Sequence, residues 1–357
     1  MREEEIFYAF LAQFDLSANK VQQIIDSMGE NLSLKAFCRH KFDNKILTNE
    51  AFNKMCERAD ENRVLNFINN MKNQDIELIN KFDDNYPSRL RYLDNAPFFL
   101  FCKGDLSLLE KPSLSVVGTR KPSSYGRIVT ERLVRDVAGE GIVIVSGLAY
   151  GVDSIAHRKC IEVGGKTIAV LGGGINEIYP SQHEDLAREI SEKGLLISEY
   201  SPCHKATKFT FPQRNRIIAG LGDGILITEA SFKSGTTHTR DFALDYGKNV
   251  YAVPGNIDSE LSLLTNDIIK SGQGKTVTEA KDILDDYQVS FQKSKSKTIQ
   301  LSLDEEKIVH FLEDGMKEMD YLAKNCDLST NLLNSCLTTL EIRGIIRRMP
   351  GGFISLD

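Results

Sequence analysis

An α/β fold built around a parallel β-sheet is predicted by three observations. Six short β-branched runs, at 114–117, 142–145, 167–171, 195–198, 224–228 and 249–253, begin 28, 25, 28, 29 and 25 residues apart. That is the pitch of consecutive strand–helix units. The runs are almost continuously apolar rather than alternating, which marks strands covered on both faces. Several of them end in glycine or serine and pass into helix-like stretches, as at Gly118, Ser146 and Gly172. The predicted core is therefore an extended Rossmann-like parallel sheet spanning 113–287.

The 357 residues exceed one ordinary domain and leave room for flanking units. Residues 1–75 predict a small helical domain, because Ile6, Phe7, Phe10, Leu11 and Phe14, then Val21, Ile24, Ile25 and Met28, recur at helical spacing. A connecting segment occupies 76–112, punctuated by Pro87, Pro97 and Pro112. Residues 288–300 are polar, basic and of low complexity, which reads as a linker. The remainder, 301–357, carries helix signals near 304–312, 319–324 and 330–342 and then two short strands, the element order of a winged helix-turn-helix.

Seven cysteines, odd in number and without a CxxC pair, argue against a disulfide framework or a zinc ribbon. The six histidines are scattered, so no metal is expected. No apolar run approaches the length of a membrane span, and the acidic start Arg2-Glu3-Glu4-Glu5 is unlike a secretory signal. The expected location is cytoplasmic.

A net charge of -6 alone disfavours nucleic acid, yet the basic residues are not evenly spread. Residues 111–130 hold Lys111, Arg120, Lys121 and Arg127 and no acid. Residues 201–221 hold Lys205, Lys208, Arg214 and Arg216 and again no acid. Two motifs that suggest nucleotide enzymes fail on inspection. Gly165-Lys166-Thr167 and Gly274-Lys275-Thr276 lack the first P-loop glycine, the positions being Cys160 and Ile269. Gly172-Gly173-Gly174 meets Glu177 where a dinucleotide fingerprint needs its third glycine. No cofactor is implied.

The segments just after the strands are small and donor-rich: Gly118-Thr119-Arg120, Ser146-Gly147, and Ser234-Gly235. Such loops let backbone amides approach an anion, although glycines also serve tight turns. The segment Lys208-Phe209-Thr210-Phe211-Pro212-Gln213-Arg214-Asn215-Arg216 pairs phosphate-binding cations with base-stacking rings, as a single-strand groove requires. Phe209 and Phe211 fit a core as well as a groove. Arg214 and Arg216 have no carboxylate nearby in sequence to pair with. Asp153 and His157, spaced i, i+4, are explained by a helix cap or dipole partner, and no nucleophile with a base can be assembled. No catalytic residue is expected.

Six segments in order, Gly118-Thr119-Arg120, 146–153 with Ala156-His157, 167–170, Ile178-Tyr179-Pro180, 211–220 and Val253-Pro254-Gly255, resemble the DprA/Smf DNA-processing family over about 85–287. The helical start, SAM-like in that family, and the winged-helix end fit its layout. The resemblance implies a non-enzymatic homodimer that binds and protects incoming single-stranded DNA in natural transformation (competence) and loads the RecA recombinase onto it. It assigns DNA contact to Arg120 in the Gly118-Thr119-Arg120 turn, and to Phe211, Arg214, Asn215 and Arg216. With Ser146, Gly147, Lys208, Gln213, Ser234 and Gly235 these make up the expected site. The chain departs from the family pattern at Ser181, where some members carry a lysine, at Thr237-His238, and at Leu264. A rival reading, a nucleoside-monophosphate hydrolase on a related fold, lacks its Pro-Gly-Gly loop and glutamate at 233–239.

The terminal domain is an unpromising DNA reader. Residues 301–357 hold six basic and ten acidic side chains, and the helix expected near 330–340 has no Lys or Arg. An accessory or protein-contact role is expected there.

Overall fold

The computed structural model describes residues 2–287 and 301–356, apart from 314, 327, 343, 344, 350 and 351. The linker expected at 288–300 lies outside the described residues. The chain divides into two compact units, Met1–Phe291 and Gln292–Asp357.

The first unit opens with five helices, α1 (Glu3–Leu11), α2 (Ala18–Met28), α3 (Leu34–Arg39), α4 (Asn49–Cys56) and α5 (Glu61–Lys72). Four of them start on a side chain that accepts from the first turn: Ser17, Ser33, Thr48 and Asp60. Their inner faces meet in an aromatic-rich core around Phe7, Phe10 and Phe37. That core is continuous with Phe99, Phe101, Ala169 and Leu171 of the sheet.

The sheet has nine strands in the order β1-β2-β6-β5-β4-β3-β7-β8-β9. Their ranges are β1 (Glu77–Asn80), β2 (Phe99–Gly104), β3 (Ser113–Val117), β4 (Val143–Ser146), β5 (Thr167–Val170), β6 (Leu195–Ser198), β7 (Gly224–Ile227), β8 (Asn249–Ala252) and β9 (Lys275–Thr276). The six central runs expected from sequence are all strands, and β3 to β9 pair in parallel. One expectation is corrected. The stretch read as a connector supplies β2, which pairs antiparallel with β6, and β1, which pairs antiparallel with β2, and together they extend the sheet. Its prolines lie outside these two strands, so none removes a ladder hydrogen bond.

Helices α6 (Ser88–Arg91), α7 (Ser124–Gly139), α8 (Val152–Glu162), α9 (Glu184–Lys193), α10 (Thr210–Leu221), α11 (Thr236–Asp245), α12 (Leu263–Lys270) and α13 (Lys281–Leu284) complete the unit. Side chains alternate between the sheet's two faces, as the two-residue strand period demands. Leu114, Val116 and Ile144 pack with α7 and α8, whereas Val117, Val145 and Val170 pack with α10. From β3 the chain runs outward through β4, β5 and β6, then returns to the other side of β3 with β7 and β8. The crevice beyond the carboxyl ends of β3 and β7 is thus the topological switch point, where open α/β sheets bind ligands.

In the second unit α14 (Leu303–Glu313), α15 (Met319–Asn325) and α16 (Thr330–Ile342) pack on a small sheet ordered β10 (Lys317–Glu318), β12 (Phe353–Leu356), β11 (Ile346–Met349). Ile308, Leu322, Leu333, Leu337 and Ile354 form its core. This is the winged helix-turn-helix order, with β10 as an additional short strand.

Candidate nucleic-acid interface

A cavity of about 920 Å³ opens at the switch point. The turn after β3, the start of α10 and the loop leading into α11 wall it, bringing Gly118, Thr119, Arg120, Lys208, Phe211, Arg214, Asn215, Ser234 and Gly235 together. These residues are spread over more than a hundred positions of sequence. Backbone bonds lock the turn after β3. Thr119 donates its amide to the Glu229 carbonyl at 2.7 Å, and Val152 donates to the Thr119 carbonyl at 3.1 Å. Gly118 packs so closely on Val152 that a Cβ would come within 2.7 Å of its Cγ2.

Arg120 is exposed, with its guanidinium 5.8 Å from the centre of the half-buried Phe211 ring. Tyr179 stands beside Phe211 at 5.3 Å and is 56% exposed. Lys208 lies 5.0 Å from the ring of Phe209, itself 68% exposed. The two phenylalanines, each compatible with core or groove by sequence, take different places. Phe209 faces solvent, and Phe211 is half-buried in the wall against Gly172 and Tyr179. Cations and rings thus interleave at the cavity mouth, an arrangement suited to phosphates and stacked bases.

Arg214 has a different position from the one expected. It is buried, and its Nη1 donates to the Gly147 carbonyl at 2.6 Å and to the Val170 carbonyl. It ties α10 to the ends of β4 and β5. Gly147 is glycine because a Cβ would sit 2.6 Å from that guanidinium. Burial draws the Arg214 pKa down to about 10, against the pull of Asp153, so the group stays charged at neutral pH. Asp153 accepts from the Gly147 and Ala149 amides at 3.1 and 3.4 Å. Burial pushes its carboxyl upward in pKa, opposed by Arg214 and these amides. Leu148 lies between them with φ of 58°, a left-handed conformation that a leucine rarely adopts.

Four expected residues do not line this cavity, Gly147 among them, its carbonyl being taken by Arg214. Ser146 is buried and donates to the Val116 carbonyl at 2.6 Å, joining β4 to β3. Gln213 and Arg216 lie on the other side of α10. The expectation that Arg216 has no acidic partner is corrected: it forms an ion pair with Glu199, which follows β6. Asn215 does reach across the cavity, donating to the Gly235 carbonyl at 3.3 Å. Tyr179 and Lys121 line the cavity but were absent from the expected set. Each had a signal, Tyr179 as an aromatic in the loop after β5 and Lys121 as the next cation in the acid-free stretch.

Asp153 and His157 do not make a catalytic pair. Thr167 spends its hydroxyl proton on the Ile144 carbonyl at 2.7 Å, so His157 Nδ1 must donate to Thr167 Oγ1, also at 2.7 Å. Burial, reinforced by Arg214 and His183, draws the His157 pKa down to about 3. No cluster of three or more metal-ligating side chains occurs among the described residues, and among them no helix is long and apolar enough to cross a membrane.

The same fold occurs in known proteins. Residues 77–288 match the family model for DNA recombination-mediator protein A, and residues 292–352 match that for the DprA winged helix domain. The chain is 42% identical to the DNA processing protein DprA of Streptococcus pneumoniae over 206 residues, 58% of this chain and 72% of that one. The solved structure of the Streptococcus pneumoniae protein superposes with a TM-score of 0.68 at 32% identity, covering 82% of this chain and 99% of its own. DNA processing protein A from Helicobacter pylori, solved for its single-stranded DNA binding mode, gives 0.55 at 30% identity over 61% and 97%.

Proposed function

Because this chain belongs to the DNA recombination-mediator protein A family, and is thereby a DNA-processing protein, we propose that it binds single-stranded DNA in the switch-point cavity. The observation that carries the reading is the cation-on-ring contact of exposed Arg120 with Phe211 at the cavity mouth. Lys121, Lys208 and Tyr179 line the same cavity with further charge and stacking surface, and exposed Phe209 stands beside Lys208. Arg120 and Lys208 neutralise phosphates, Phe211 stacks a base, and the Gly118-Thr119 turn with Ser234-Gly235 offers small, polar approach to the backbone. Arg214 acts from beneath by fixing the wall.

The wider role is that of the family. The protein acts as a homodimer in the cytoplasm, protects DNA taken up in natural transformation, and loads RecA recombinase on it without breaking bonds. The 301–357 unit contributes contact with protein rather than with DNA, since the 330–342 helix carries no Lys or Arg.

The test is a titration of single- and double-stranded oligonucleotides at two salt concentrations with wild type and Arg120→Ala. Preference for single strands, lost together with part of the salt dependence in the variant, is expected. Equal salt dependence in both proteins overturns the site. Sedimentation with and without RecA checks the homodimer and the partner.

A further inference from the structure

Helix α10 is a wall with a cavity on each side. Behind it, against the α1–α2 loop and the end of β6, lies a second cavity of about 550 Å³. Among the described residues four buried side-chain polar atoms lack a partner, and two of them, Glu199 Oε1 and Arg216 Nη1, belong to residues lining this cavity. A third, His204 Nε2, is on a ring whose Nδ1 pairs with another lining residue, Asp15, at 2.9 Å. Buried groups of this kind are normally satisfied, so a concentration of them points to a missing partner.

The lining defines the partner's chemistry. Glu199 and Arg216 bond each other through their other atoms, leaving one acceptor and one donor on the paired groups. Phe14, Phe98, Tyr200 and Phe242 supply aromatic walls. Asp15, Asp94 and Glu199 set three carboxylates against the single arginine, which disfavours a phosphate. A flat, neutral ring with an adjacent donor and acceptor on one edge meets all three conditions. Every nucleobase has such an edge, and proteins hold displaced bases in this way, by that edge and by stacking. The volume is in the range of small-molecule sites.

We propose that this cavity is a second nucleobase site, taking the Watson–Crick edge of one base against Glu199 and Arg216. The two unpaired atoms are out of contact with solvent. The base must therefore displace a lining side chain, and the Tyr200 to Gln213 hydrogen bond, at 3.2 Å, is a long one. The base comes either from a free nucleoside or from a strand held in the first cavity, and only the second source rests on the function proposed above.

Photocross-linking the full chain to 4-thiothymidine distinguishes these cases, used as the nucleoside and inside an oligonucleotide, with adducts located by mass spectrometry. Adducts on Tyr200 or Phe242 are expected in at least one arm. Glu199→Gln, and separately Ala18→Trp, which adds an indole to the cavity lining from the first turn of α2, should each lower them about tenfold, the scale of one lost hydrogen bond to a charged group or of steric exclusion. Absence of these adducts from both arms overturns the proposal, as does their persistence in Ala18→Trp. An oligonucleotide that also leaves Phe211 unlabelled counts against the first cavity, whereas Phe211 labelling without Tyr200 or Phe242 adducts in either arm counts against the second alone.

Discussion

Arg214 donates to the Gly147 carbonyl at 2.6 Å while the Gly147 amide donates to Asp153 at 3.1 Å, so one glycine is held between opposite charges. The guanidinium is thus a brace of the cavity wall. Arg214→Ala leaves two carbonyls and a buried carboxylate short of their partner, and should cost about 3 kcal/mol of stability. Urea unfolding measures it. A loss under about 0.5 kcal/mol would mean the arginine is a surface group.

Arg120→Ala should behave in the opposite way. Stability stays within about 0.5 kcal/mol, because the side chain is exposed. Affinity for single strands falls, and the salt dependence drops by about one counterion. Oligonucleotide titrations between low and moderate salt provide the check.

Tyr179→Ala removes stacking area and no charge. Binding should weaken by about 1–3 kcal/mol per base stacked, with the salt slope unchanged and little preference among base sequences. Tyr179→Phe should retain affinity, since the ring rather than the hydroxyl does the stacking.

His157 links stability to pH. Its folded pKa, about 3, lies below the ordinary histidine value, so the unfolded chain binds the extra proton first. Its contribution is complete above about pH 6.5 and declines at about 1.4 kcal/mol per unit as pH falls towards 3. His157→Asn should be less stable at pH 7 and should lose stability less steeply below pH 6. Parallel curves for the two proteins in urea titrations would exclude the assignment.

Removing residues 301–357 should change single-strand affinity by about twofold or less, because the 330–342 helix has no cation to lose counterions against. A large loss in the truncated protein would move the DNA site to the winged helix.

The central strands were legible because an apolar run of four or five residues, repeated at a regular pitch, fits little else than a strand buried on both faces. β1 and β2 were not, since Phe99–Gly104 sits among prolines and its pairing with β6 joins residues almost a hundred positions apart. The acid-free stretches contain Arg120 and Lys208, and both line the cavity. They misjudged Arg216, because Glu199 lies beyond the window in which a sequence reveals an ion pair. Arg214 was visible as a cation but not as a buried one. Burial depends on where the ends of β4 and β5 arrive, and that is set by the sheet.

The two-sided wall made by α10 also restricts what its length can be. Phe211 and Arg214 address one cavity while Gln213 and Arg216 address the other, so the four functions are separated only by rotation about the helix axis. One inserted or deleted residue between 211 and 214 would turn everything beyond it by about 100°. The brace and its cavity neighbours would then point away from their places without any side chain having been changed. This segment has the indel intolerance of a gear tooth.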